Sequence, residues 1–267
     1  MSHDRDTSHL PAHEQDTRTQ AQLEQISSDI KANQALTSNT VPVTELSLLF
    51  EPNTNFQKGC NYLATKYESY RCIRGDGNCY YRAFLYSLCQ KLFLEKGDEL
   101  KRIITYVKSS IGTVETFGYD RFTVEIFHEE MVDLLAKVAS AQTFETIHKM
   151  LNEENATSDY CVWYLRVITS AYLKADTDRF IHFLDDPNYF DVETFCQREI
   201  DPMGRETTMV GVLALAEAFN VTVDIEYLDG REMVGKKLVK HSFGKDGSTS
   251  TLTMLYRPGH YDILYND

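Results

Sequence analysis

Six cysteines, at positions 60, 72, 79, 89, 161 and 196, form no C-x-x-C pair, and no histidine follows them at zinc-finger spacing. That argues against a zinc finger. The polar, charged first 16 residues lack the apolar core of a signal peptide. Nowhere does an uninterrupted apolar run approach the ~20 residues of a membrane span. Positive charge is also scarce: 27 Lys and Arg stand against 40 Asp and Glu, a formal net charge of −13. This argues against nucleic acid and anionic membrane as partners, where phosphate contacts supply most of the binding. It suits a soluble protein whose partner has a basic face. The expectation is a protein of the cytosol, with the nucleus as a further compartment, whose thiols are free and mostly buried as small hydrophobes.

What is present is a 42% apolar fraction in 267 residues, enough for one domain of ordinary size plus an arm, or for two small domains. Residues 1–43 read as a mobile N-terminal arm, rich in Gln, Ser, Thr, Asp and His and ended by Pro42. Within it Leu23, Ile26 and Ile30 recur at i, i+3, i+7, a weak amphipathic helix over 19–36. Two readings stand: a fraying tail, or a segment that folds onto a partner. Residues 44–267 form the second unit. Helical patterns run over 45–50, 56–67, 79–95, 99–111, 123–139, 143–151, 158–173, 178–184, 192–200 and 208–219. Thr123 and Ser158 are the expected N-caps, and Asn220 the expected left-handed C-cap. Strands follow at 221–227, 251–256 and 260–265, punctuated by Asp229-Gly230 and Arg257-Pro258-Gly259. Helices first and strands last predict an α+β (mixed α/β) fold, a helical subdomain packed on a small, largely antiparallel sheet.

Asp76-Gly77-Asn78-Cys79 opens the helix at 79–95, whose apolar residues Tyr81, Phe84, Leu85, Leu88 and Leu92 keep helical spacing. A thiol attacks as thiolate, and a helix start stabilises thiolate through free N–H groups and the positive end of the dipole. Cys79 is therefore the candidate nucleophile. Gly75 and Gly77 allow a tight turn and close approach of a substrate. Asp76 is either a cap for the helix start or a participant in proton transfer. Both readings place the N–H groups of residues 76–79 in a nest around the thiol, a candidate oxyanion hole. Gly75-x-Gly77 lacks the last glycine of a dinucleotide fingerprint.

A nucleophilic cysteine needs a base, and the base an orienter. His3, His9 and His13 lie in the arm, His128, His148 and His182 in helical patterns, and His241 before a polar loop. His260 follows the Pro-Gly turn at the first position of a strand. Alternation puts Asp262 on the same face and turns Tyr261 toward the core. The bland alternative for His260 is an ordinary turn histidine; the acid at i+2 and the flanked cysteine favour the catalytic reading. Trp163 and cysteines 89, 161 and 196 read as core. The acidic pairs Glu153-Glu154 and Asp185-Asp186 read as solvated loop charges.

Residues 74–83 (RGDGNCYYRA) and 255–265 (LYRPGHYDILY) resemble the corresponding motifs of the otubains, cysteine deubiquitinases of the ovarian-tumour-domain (OTU) type. Segments between them, 158–160, 165–171, 195–197 and 201–203, follow in family order, so the resemblance covers about residue 44 to the end. It implies a papain-like OTU fold without metal or organic cofactor. It implies that Cys79 attacks the isopeptide carbonyl between ubiquitin's C-terminal glycine and a lysine amine. His260 would be base and then acid, Asp262 its orienter, and backbone near Asp76 and Cys79 the oxyanion site. Lysine-forty-eight-linked polyubiquitin is the implied substrate. The implied partners are ubiquitin, polyubiquitin and ubiquitin-conjugating enzymes, and the arm helix with Leu23, Ile26 and Ile30 sits where longer otubains carry a ubiquitin-binding segment. One departure stands out. After the Glu-Pro-Met-like segment, here Asp201-Pro202-Met203, the family's Asp-His is replaced by Thr208-Met209, in a region the resemblance places near the distal ubiquitin. The alternatives are a non-catalytic protein that binds ubiquitin-conjugating enzymes and inhibits ubiquitin transfer, and a hydrolase of an unrelated small amide.

Overall fold

The computed structural model describes residues 12–50, 52–184, 189–248 and 250–266. Among them one six-stranded sheet forms from β1 (Thr37–Pro42), β2 (Ser69–Ile73), β3 (Thr222–Tyr227), β4 (Val239–Phe243), β5 (Thr251–Arg257) and β6 (His260–Tyr265). The strand order is β1-β2-β6-β5-β3-β4. Only β3 and β5 run parallel, so the largely antiparallel sheet is as expected. The β5–β6 hairpin pairs Arg257 with His260 and Leu255 with Asp262. Its turn needs Gly259, whose φ is +72°.

The helices are α1 (Ala12–Asn33), α2 (Thr54–Ala64), α3 (Cys79–Glu95), α4 (Asp98–Thr116), α5 (Arg121–Ser140), α6 (Phe144–Leu151), α7 (Thr157–Ala175), α8 (Thr177–Phe180), α9 (Val192–Phe195) and α10 (Met209–Phe219). A 3-10 turn precedes α2, and α9 continues as a π-type turn to Ile200. Helix α3 is the hub, packed between the sheet and helices α5 and α7. Its residues 79–89 are all buried. A helix apolar on every side belongs in the middle of a core, and burying each of Tyr80, Tyr81 and Phe84 is worth about 1.5–3 kcal/mol. Cys79 thus begins a helix anchored in the core.

Three local expectations are corrected. Strand β1 belongs to the sheet although it falls inside the range read as arm, because its N–H and C=O groups pair with β2. Helix α5 begins at Arg121 because Asp120, not Thr123, is its cap; the Thr123 N–H donates to Asp120 Oδ2 at 2.8 Å. Ser158 lies inside α7 and receives Arg82 Nη1 at 3.0 Å instead of capping. Asn220 does close α10 in the left-handed region, with φ 51° and ψ 49°.

Candidate active site

The Asp76–Asn78 loop is held from several sides. Asp76 Oδ1 accepts the Asn78 N–H at 3.0 Å, and Asp76 Oδ2 accepts Arg82 Nε and Nη2 at 3.2 and 2.8 Å. Arg82 Nη2 also donates to Asp159 Oδ1 at 2.6 Å. The Asp76 side chain is therefore a brace for the loop, its carboxylate committed to these donors, while the N-cap of α3 is Asn78, with no side-chain cap bond. This corrects the wider nest: the Asn78 N–H is already taken, whereas the Cys79 N–H, at the first helical position, has no intrahelical acceptor. Upstream, Arg74 Nε donates to the Gln34 carbonyl at 2.8 Å, and the Gly75 N–H donates to Gln34 Oε1 at 3.1 Å. The end of the arm is thus fastened to the loop that leads to Cys79.

His260 projects from the start of β6 and Asp262 from the same face, and the hairpin brings both to Cys79. His260 Nε2 lies 2.9 Å from Asp262 Oδ1. Nδ1 is the ring nitrogen that Asp262 does not take, and Cys79 is near enough to act on the charge of the ring. Asp262 is fully buried. It also accepts the Ile73 N–H at 3.0 Å on Oδ1, and Arg257 Nε and Nη2 at 2.8 and 2.6 Å on Oδ2. Burial alone would lower the His260 pKa, but hydrogen bonds and charge from Asp262 and Cys79 outweigh it and push the imidazole up to about 9. Burial would raise the Asp262 carboxyl, but His260, Arg257 and the Ile73 N–H hold it below the ordinary carboxylate range. The site favours imidazolium at neutral pH. It can make a thiolate, orient the imidazolium that faces it, and return a proton to a leaving group. Tyr261 turns into the core, edge-on to Tyr80.

Cys79 opens onto a cleft of about 470 Å³ whose walls include Glu206, Thr208, Met209, Tyr256 and Gly259. Thr208 caps α10 by accepting the Gly211 N–H at 3.2 Å, and Met209 is half exposed. A second cleft, about 560 Å³, borders Asp76 and Asn78 and is walled by Arg82, Tyr160, Trp163 and Met203. Trp163, expected as core, is partly buried, packed against the main core and stacked on Phe127 at 5.0 Å. Cysteines 89, 161 and 196 are buried in helices. His148 bonds the Tyr86 hydroxyl and His128 the Val107 carbonyl, away from the thiol, while His241 stands on β4 in the wall of the first cleft. His3, His9, the Asp185-Asp186 pair and the side chains of His13 and Leu23 lie outside the described residues. Ile26 and Ile30 lie on α1, Ile26 about half exposed, and neither lines the Cys79 cleft.

The sequence reading missed Arg257, Arg82 and Arg166. A register argument reaches the first: in a two-residue hairpin Arg257 faces His260, within reach of Asp262. The other two are arginines in helices, indistinguishable in sequence from surface residues.

Comparison with known proteins gives the chain its relatives. The family model Peptidase C65 Otubain matches residues 29–266. "Ubiquitin thioesterase OTUB1" of Homo sapiens is 36% identical over 254 residues, covering 94% of this chain and 90% of that protein. The Arabidopsis thaliana "OVARIAN TUMOR DOMAIN-containing deubiquitinating enzyme 1" is 31% identical over 220 residues, covering 76% of this chain and 71% of that one. Among solved structures, "The structure of h/ceOTUB1-ubiquitin aldehyde-UBCH5B~Ub" superposes with a TM-score of 0.86 at 28% identity, covering 95% of this chain and 99% of that chain.

Proposed function

The chain belongs to the otubain family, and from that membership we propose that it is a cysteine-type ubiquitin isopeptidase that hydrolyses polyubiquitin, lysine-forty-eight-linked chains foremost. The carrying observation is the Cys79–His260–Asp262 constellation at the start of a buried helix, in a chain that matches the family over residues 29–266. Cys79 thiolate attacks the isopeptide carbonyl carbon, and the Cys79 N–H is available to the developing oxyanion. The C–N bond breaks as the His260 imidazolium protonates the lysine amine, leaving a thioester on Cys79. His260, now neutral, takes a proton from water; hydroxide attacks the thioester, the C–S bond breaks to release the Cys79 thiolate, and the new acid gives its proton to solvent and leaves as carboxylate. Asp262 holds the ring orientation and charge throughout. The linkage preference is supported by family resemblance alone. So is placement in the cytosol and nucleus, which a fractionation of cells would test.

Di-ubiquitins of every linkage, incubated with wild type and Cys79→Ala, test the proposal. Cleavage by wild type alone, fastest at lysine forty-eight, is the expected result; cleavage retained by Cys79→Ala overturns it. A second, compatible reading is inhibition of ubiquitin transfer by capture of charged conjugating enzyme. Solved relatives carry UBCH5B~Ub and UBC13~Ub in their complexes, and α1 stands largely exposed on this chain. Deleting residues 1–33, which spares β1, would then relieve inhibition; unchanged inhibition excludes the arm from that role.

A further inference from the structure

Arg166, on α7, is the largest side chain in the protein with no exposed surface among the described residues. Its hydrogen-bond acceptors are neutral. Nη1 donates to the Ile200 carbonyl at 2.8 Å. Nη2 donates to the Gly77 carbonyl at 3.0 Å, Asn78 Oδ1 at 2.8 Å and the Arg205 carbonyl at 2.7 Å. The guanidinium also lies 4.3 Å from the centre of the Tyr81 ring. A buried cation without a bonded carboxylate is costly, and an apolar side chain of similar volume would fill the space without that cost. What an apolar side chain could not do is join the two segments that supply the acceptors.

Those segments are the loop that ends at Cys79 and the stretch 200–205 that leads into the cleft wall. They meet closely. Gly77 has φ +74°, and a Cβ there would stand 2.0 Å from the Gly204 carbonyl oxygen. Asn78 Oδ1 also accepts the Gly204 N–H at 2.9 Å. The Gly77 C=O and the Asn78 N–H belong to one peptide plane. Arg166 holds the carbonyl end and Asp76 the N–H end. That plane fixes one side of Asn78, whose φ of −106° and ψ of 4° set the next plane, the one that carries the Cys79 N–H, and the Arg82 N–H holds the carbonyl end of that plane at 3.0 Å.

We propose that Arg166 is a positioning residue for the hydrolytic reaction: it aims the Cys79 N–H at the substrate carbonyl oxygen, clamps the 200–205 wall to the nucleophile loop, and sets a permanent positive charge on the loop residues that precede Cys79. Electrostatic attraction between Cys79 and the guanidinium accords with this placement. The inference rests on the cysteine-isopeptidase reading above.

Arg166→Lys and Arg166→Met, each verified as folded by circular dichroism, are compared with wild type on ubiquitin bearing a fluorogenic C-terminal amide. Alkylation of Cys79 by iodoacetamide, followed across pH by mass spectrometry of its peptide, needs no ubiquitin chemistry. Lysine keeps the charge but loses the planar fork. Both variants are expected to lose kcat by roughly 10- to 100-fold with KM within about threefold of wild type, the signature of misaimed groups. Only Arg166→Met is expected to shift the onset of alkylation to higher pH. Wild-type kcat in either folded variant, or an unshifted onset in Arg166→Met, overturns the proposal. If neither variant folds, Asn78→Ala removes one acceptor on the loop; kcat must fall about tenfold at constant KM, and an unchanged kcat overturns the proposal. A wild type inactive on ubiquitin would instead sink the isopeptidase reading, leaving the alkylation comparison to judge Arg166.

Discussion

Asp262→Asn isolates what the buried carboxylate contributes, because its four contacts are all donors. Oδ1 takes His260 Nε2 and the Ile73 N–H, and Oδ2 takes Arg257 twice. An amide has one acceptor oxygen and one NH2. With its oxygen toward His260, the NH2 faces the guanidinium; flipped, the NH2 faces His260 and Ile73. Either way donors collide and Arg257 loses its counter-charge. Breaking a buried pair from one side costs about 3–5 kcal/mol of stability. The catalytic loss, through ring orientation and tautomer, is on the order of 10²–10⁴ in kcat, less than for His260→Ala. The pH dependence follows from sign. His260 is raised in the fold, so its stabilising share is complete below its ordinary value of 6.5 and disappears as pH rises through about 9. That interval corresponds to about 3 kcal/mol. Asp262 is lowered, so its share is present above its ordinary value and is lost only as pH falls through its depressed folded value. Urea unfolding at about pH 6 and again near pH 10, with kcat measured on fluorogenic ubiquitin, provides the assay. Wild type should lose stability across this range and Asp262→Asn should lose markedly less. Equal losses in the two proteins, or a kcat within tenfold of wild type, would refute the reasoning.

Other substitutions test separate parts of the site. Cys79→Ala should abolish cleavage with little change in melting temperature; a collapsed fold would show that the buried thiol is a packing element first. Gly77→Ala should destabilise by about 2–3 kcal/mol, since the new Cβ meets the Gly204 carbonyl at a positive φ, and a melting curve that matches wild type would contradict this. Thr208→Ala removes the side-chain cap of α10 and should cost about 1 kcal/mol in urea unfolding. Met209→Asp, in the cleft wall, should change KM by severalfold and leave kcat nearly intact; a selective kcat effect would place Met209 in the chemistry instead.

The parts of the fold legible in the sequence are those whose pattern reports burial locally. Helix α3 and strand β6 have the expected bounds because apolar spacing and the Pro-Gly turn mark them directly. Strands β1, β2 and β4 escaped for three different physical reasons. β1 is a polar edge strand ending in Pro42 and reads as linker. β2 carries a buried arginine, Arg71, stacked on the Tyr86 ring at 4.4 Å and bonded to the Tyr265 hydroxyl, which masks its alternation. β4 is an edge strand exposed along most of its length, with no apolar face to betray it.

The candidate site divides in the same way. Cys79, His260 and Asp262 could be found because a helix start and a two-residue strand period place them by short-range rules. Arg82 and Arg166 could not, since their partners lie up to 89 positions away in the chain and only the tertiary fold turns those helix faces inward. Asp76 was half legible: its bond to the Asn78 N–H follows from the turn, but its commitment to Arg82 does not. The arm's boundary was misplaced because Leu36, buried, and the Gln34–Arg74 contact give no periodic signal.

The central claim is that the Cys79 thiol attacks the carbonyl at ubiquitin's C-terminus. Intact-mass measurement after incubation with ubiquitin carrying a C-terminal electrophile tests it most directly. Wild type is expected to gain the mass of one ubiquitin, mapped to the Cys79 peptide, and Cys79→Ala to gain nothing. A folded wild type that remains unmodified, or a Cys79→Ala protein that still captures ubiquitin covalently, would contradict the account.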